Sequence, residues 1–208
     1  GGEDDAIYLW DVRQPARRQV IRTLQGHTAP IPHLAFSPDG FTLASGEGHH
    51  RLRLWDWRSG QCLHTLEGHT SDVHQCTFDR TGQILVSTSS DHTLRFWDVA
   101  SGQVRHSLRT FPQDPRCVTF APAGDLLASA GFGHVIQLWQ IDATTGVAAL
   151  TEPGSGQPHA TLQGHSDEVT DLAFRPAPYP QPLLLASCSD DQTVRVWDAV
   201  TGENIGTF

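Results

Sequence analysis

In the stretch 68–98, GHTSDVHQCTFDRTGQILVSTSSDHTLRFWD, apolar and polar residues alternate with a period near two over 73–78, 83–87 and 94–97. That period places side chains on alternate faces of an extended backbone and predicts strands. Thr81-Gly82 and Ser90-Asp91-His92 separate the runs. Both are turn chemistry, because Gly tolerates positive φ and Asp and Ser bond their own backbone. A fourth short run, 104–108, follows the Ser101-Gly102 turn. The stretch reads as an antiparallel meander of four strands. No window shows a helical period, so the prediction is an all-β chain of roughly eighteen short strands, two followed by four sets of four.

The same unit recurs along the whole chain. Gly26-His27 leads to Trp55-Asp56, Gly68-His69 to Trp97-Asp98, and Gly164-His165 to Trp197-Asp198. A further copy lacks the Gly-His pair and ends in Trp139-Gln140, and the chain opens on Trp10-Asp11. The Trp spacings are 45, 42, 42 and 58, the last being 42 lengthened by insertions of 12 and 4 residues. A period near 42 in which Gly-His, Ser, Asp and Trp-Asp hold fixed offsets resembles the WD-repeat family of β-propellers.

That resemblance implies radial four-stranded antiparallel blades. The expected divisions are a partial blade at 1–25, blades at 26–66 and 67–109, a degenerate blade at 110–163 with an insertion at 140–158, and a blade at 164–208. Seven blades are usual in the family, so about four and a half imply an incomplete, open ring and a fragment of a longer protein. Open ends expose sheet faces that invite self-association. The insertion 140–158, rich in Gly and Pro, is expected to be an exposed loop. The Pro-rich stretch 175–182 is expected to be an extended, lengthened turn on the opposite face from the Gly-His loops.

Composition narrows the function. The net charge is −9, with 14 Arg and no Lys, which disfavours binding to nucleic-acid phosphates. No apolar run approaches the length of a membrane span. Cys62, Cys76, Cys117 and Cys188 lack CxxC spacing and read as unpaired thiols of a reducing compartment, the cytoplasm. No phosphate-binding loop, metalloprotease motif or kinase set is present, so neither enzyme chemistry nor a cofactor is expected.

One constellation imitates a hydrolase triad. His69, Ser87, Asp91 and Trp97 recur at the same offsets as His165, Ser187, Asp191 and Trp197. Their repetition, and the lack of a nucleophile elbow, argue against catalysis. The resemblance implies a structural chain in which Asp bonds His, His bonds Ser and Ser bonds the indole N–H. The blade 26–66 keeps His27, Ser45 and Trp55, with His49 where the acid belongs. The blade 110–163 keeps Ser129 and Trp139, with Phe111 and Gly133 in the other two places. Both are expected to have looser inner loops. His50, His92 and His134 each stand five residues before their Trp; a zinc site is weighed there, and positive-φ turn geometry is preferred.

By the family's pattern, residues three and five after the His, and the one before the tetrad acid, share a partner-binding top face. Here they are Pro30, Pro32 and Gly48; Asp72, His74 and Ser90; Asp114, Arg116 and Phe132, by spacing only; and Glu168, Thr170 and Asp190. Four acids against one Arg imply a protein or peptide partner with a basic segment. The reading is a non-catalytic scaffold. Its alternatives are a sensor or autoinhibitory region of a larger bacterial signalling protein, such as an NTPase or kinase, and, lowest, a propeller enzyme.

Overall fold

The computed structural model describes residues 5–13, 19–109, 114–142, 158–176 and 182–208. These form eighteen strands and no helix. β1 (Ala6–Asp11) and β2 (Gln19–Gln25) pair alone as a half-blade. β3 (His33–Phe36), β4 (Thr42–Gly46), β5 (Leu52–Asp56) and β6 (Gln61–Leu66) form the first full blade. β7 (Val73–Phe78), β8 (Ile84–Ser89), β9 (Thr93–Asp98) and β10 (Val104–Arg109) form the second. β11 (Pro115–Phe120), β12 (Leu126–Gly131), β13 (Val135–Gln140) and β14 (Ala160–Gln163) form the third. β15 (Val169–Phe174), β16 (Leu184–Ser189), β17 (Val194–Asp198) and β18 (Asn204–Thr207) form the fourth. Every pairing is antiparallel between strands consecutive in the chain, so each blade is a meander. Among the described residues no strand pairing joins the half-blade to the fourth blade, and the propeller is incomplete.

Turn chemistry explains the local folding. Gly40, Gly82 and Gly124 sit at φ 70°, 73° and 83° between the first and second strands of their blades. The next turn puts His50, His92, His134 and Gln192 at φ 68°, 62°, 60° and 68°. The recurrent histidines are therefore turn residues in the left-handed region, and no metal-holding cluster is found among the described residues. The Asp of each Trp-Asp pair caps the third turn. Asp56, Asp98 and Asp198 accept the backbone N–H groups of Arg58, Ser101 and Val200 at 2.8–2.9 Å or, for Ser101, three residues on at 2.8 Å. Gln140 lacks that carboxylate, and its strand runs into the long insertion. Residues 143–157 of that insertion, 177–181 of the Pro-rich stretch, and Phe111 lie outside the described residues. Ile141, expected to be exposed within the insertion, is instead buried in the apolar cluster between the second and third blades.

A twisted sheet has two faces to cover, and here the core lies between sheets. Four apolar clusters each join neighbouring blades: Ile7 and Leu24 with Trp55; Leu52 and Leu54 with Trp97; Leu94 and Phe96 with Trp139; Ile136 and Leu138 with Trp197. Each fully buried side chain of this size contributes roughly 1.5–3 kcal/mol. The first strands β3, β7, β11 and β15 pack side by side around the axis.

Gly131 marks the tightest approach. A Cβ there would lie 2.0 Å from the Asp114 carbonyl oxygen, whereas at Gly40 it would meet nothing within 4 Å. Gly131→Ala is expected to cost roughly 1–3 kcal/mol through overpacking of backbone that has no room to move. Gly40→Ala carries only its positive-φ penalty, about 1–2 kcal/mol. Urea melts of the two variants test the cause: supplying a conformationally freer residue, Asn, should recover stability at position 40 and not at 131.

Candidate functional site

In the second blade Trp97 donates its indole N–H to Ser87 Oγ at 2.8 Å, Ser87 Oγ lies 2.7 Å from His69 Nε2, and His69 Nδ1 lies 2.8 Å from Asp91 Oδ2. The fourth blade repeats this with Trp197, Ser187, His165 and Asp191 at 2.9, 2.8 and 2.8 Å. The directions are fixed by the indole, which only donates: the serine accepts from it and donates to a neutral imidazole, which donates to the carboxylate. Thr70 and Ser166 add their backbone N–H groups to the two carboxylates.

The first blade corrects the expectation that His49 leaves it without an acid. Trp55 and His27 meet Ser45 at 2.8 and 2.6 Å, and Glu47 Oε2 lies 2.6 Å from His27 Nδ1. Glu47 stands two residues after the serine rather than four, on the same alternation face as Ser45, and its extra methylene spans the difference. Its side chain is fully buried, while His49 is exposed. The sequence signal was a lone acid directly after a short apolar strand, at the end of a run buried from Leu43 to Glu47. The third blade holds Trp139 to Ser129 at 2.9 Å.

Burial pushes the His27 and His69 imidazoles below the usual histidine range, against the pull of their carboxylates. Burial alone would raise the Asp91 carboxyl, but hydrogen bonds from His69 and Thr93 outweigh it and hold that carboxyl well below its ordinary range.

The top-face residues pair with each other. Gly48, Ser90, Phe132 and Asp190 donate their backbone N–H groups to the carbonyls of Pro30, Asp72, Asp114 and Glu168, at 3.1, 3.0, 3.2 and 2.9 Å. One backbone bond, repeated four times, thus ties the Gly-His loop to the second turn. Pro32, His74, Arg116 and Thr170 lie two residues further on and line an axial cavity of about 400 Å³. His33, Gln75 and Asp171, which the spacing argument missed, complete the lining as the next residues along three of the same strands.

The acids are not equivalent. Arg116 Nη1 lies 2.7 Å from Glu168 Oε1 across the third and fourth blades, and its guanidinium sits over the Phe132 ring, 5.5 Å from the centroid. Ser90 lies 2.7 Å from His74 Nε2 and 3.4 Å from Asp114 Oδ2. Burial pushes the His74 imidazole down, with Asp114 opposing and Arg116 assisting. Glu168 and Asp114 are thus largely enclosed, whereas Asp72 and Asp190 face solvent.

Two outcomes are expected. Glu47→Ala should destabilise by roughly 1–3 kcal/mol, because it strands the His27 N–H, while His49→Ala should be near neutral in the same denaturant melts. Lowering the pH should weaken the fold in two steps. Below about 6.5 the unfolded chain takes up protons that His27 and His69 refuse, so stability falls; below about 3.9 the unfolded chain protonates its carboxyls while Asp91 stays ionised, and stability falls again. Melts followed from neutral to acid pH should show both slopes.

A family model for the WD domain, G-beta repeat, matches residues 18–56, 60–98, 103–140 and 156–198, most of the chain. Each match straddles two blades, beginning with the outer strand of one and running through three strands of the next. Among similar proteins, Topless-related protein 4 of Arabidopsis thaliana is 42% identical over 50 residues, 24% of this chain and 4% of that protein. WD repeat-containing protein GTS1 of Arabidopsis thaliana is 38% identical over 58 residues, 28% of this chain and 15% of that protein. NACHT domain- and WD repeat-containing protein 1 of Mus musculus is 38% identical over 61 residues, 29% of this chain and 4% of that protein. The matches thus span only a small part of each relative's length. The four repeats, each offset by one strand from a sheet, show that the chain belongs to the WD-repeat family.

Proposed function

We propose that this chain is a non-catalytic platform that binds a protein or peptide partner with a basic segment through the top face. Membership of the WD-repeat family supports the general scaffold role. The observation that carries the finer reading is the rim itself. Asp72 and Asp190 are exposed on loops held by repeated backbone bonds, around a polar cavity of about 400 Å³. Fixed like charges at an opening reinforce each other's field and attract cations. Since Glu168 is engaged by Arg116, the attraction is assigned to Asp72 and Asp190 and not to all four acids. His74, Ser90, Asp114, Phe132 and Thr170 shape the surface on which such a segment rests. The tetrad serines are at most 2% exposed, out of reach of a substrate, which supports the non-enzymatic reading.

A second reading, a WD-repeat region within a larger signalling protein, is favoured by one relative whose name joins WD repeats to a NACHT domain. In that setting the top face would hold a segment of the same polypeptide, by the same chemistry, in the cytoplasm.

The test uses a short arginine-rich peptide titrated into the 208-residue chain. Raising salt from about 0.1 M to about 1 M shortens the screening length from ~10 Å to ~3 Å and should weaken binding markedly. Asp72→Lys with Asp190→Lys should weaken it about tenfold at low salt, mainly through the association rate, with an unchanged melting temperature. Binding indifferent to both changes would remove the acidic rim from the proposal.

A further inference from the structure

Near the axis, the first strands of neighbouring blades are tied by side chains as well as by packing. His33, Gln75, Cys117 and Asp171 hold the same place in β3, β7, β11 and β15, directly after Pro32, His74, Arg116 and Thr170. Between the first and second full blades, the Cys76 backbone N–H donates to His33 Nδ1 at 3.3 Å. Between the second and third, the Val118 backbone N–H donates to Gln75 Oε1 at 2.6 Å. Donor and acceptor are 43 residues apart in both, so one tie is made by two chemistries. At the third junction the Cys117 thiol lies 3.7 Å from the Val169 carbonyl oxygen, and Asp171 takes the Leu172 N–H within its own strand.

The first two ties respond differently to protons. A backbone N–H only donates, so His33 Nδ1 is bare and the ring proton sits on Nε2. The Cys76 thiol lies 3.7 Å from the same Nδ1, and burial pushes that thiol up to about 12, so it keeps its proton. An imidazolium carries N–H on both nitrogens and has nothing left with which to accept, whereas the Gln75 amide does not titrate. Burial pushes the His33 ring below its ordinary 6.5, against the pull of Asp171 on β15. His74 and Gln75 of β7 and Arg116 of β11 line the cavity beside it, and the partner strand β4 has no ionisable side chain.

We propose that His33 is a pH-sensitive latch between the first and second full blades: a proton on Nδ1 sets donor against donor, and the tie to Cys76 opens while the Gln75 tie beside it holds. The latch needs no ligand. Unfolded, the histidine takes its proton near 6.5; folded, the ring resists, so stability is withdrawn as pH falls through that window and the tie opens below it. Opening loosens the loop that ends in Pro32 from the strand that carries His74, at the top face.

Amide hydrogen exchange of the 208-residue chain, followed by NMR from about pH 8 to about pH 5, tests the latch. The protection factor of Cys76 should fall more steeply than that of Val118, by up to about tenfold per pH unit. His33→Gln copies the neighbouring tie and should make the two amides fall in parallel. If that variant fails to fold, the ring nitrogens of the unaltered chain decide: Nδ1 should be bare at neutral pH and gain its proton in step with the loss of Cys76 protection. A Cys76 amide that keeps pace with Val118 throughout, a steeper fall that survives His33→Gln, or a proton on Nδ1 at neutral pH would each overturn the proposal.

Discussion

The indole N–H is the group on which the blades depend. A tryptophan offers the largest apolar surface available, but it carries one donor that is expensive to bury without an acceptor. Ser45, Ser87, Ser129 and Ser187 supply that acceptor, each almost fully enclosed. A serine that accepts must also dispose of its own proton, and in three blades an imidazole takes it. The imidazole in turn needs an acceptor for its other nitrogen, and a carboxylate stands there. The sequence of polar residues that looks like an active site is thus the consequence of placing an indole between two sheets.

This chain of obligations orders the rest of the blade. The histidine comes from the loop before the first strand, the serine from the second strand, the acid from the following turn and the tryptophan from the third strand. Satisfying one donor therefore fixes three connections at once. The Gly before each His belongs to the same arrangement. At Gly68 and Gly164 an added Cβ would meet Arg95 or Arg195 Nη1 at 2.8 and 2.5 Å, and Gly68 lies at φ 155°. The arginines lie over the loop because no side chain occupies that space.

Much of this was legible in the sequence because a period of two and a period near 42 are both written in side-chain type. Eighteen strands, the turns at Gly40, Gly82 and Gly124, and the left-handed histidines follow from residues that have few alternatives there. Glu47 was not legible from fixed offsets, since a longer side chain from a different position on the same strand face reaches the same atom. Nor was the uneven rim: whether Glu168 is available depends on Arg116, 52 residues away, and pairing across blades leaves no trace in local pattern. His33, Gln75 and Asp171 line the cavity directly after Pro32, His74 and Thr170, and a spacing that picks single loop positions passes over them.

The repeated bond between the two top loops has a further consequence. Its donors are the backbones of Gly48, Ser90, Phe132 and Asp190, and its acceptors those of Pro30, Asp72, Asp114 and Glu168. A ring, an acid, a hydroxyl and a hydrogen atom all appear at these places without altering the span between the loops. Position and identity are thereby separated: the main chain sets where each rim side chain stands, and its type is left to vary. On the proposed reading of the top face, such a rim would be a set of interchangeable mounts, and a new partner could be reached by substitution alone, with no change to the frame.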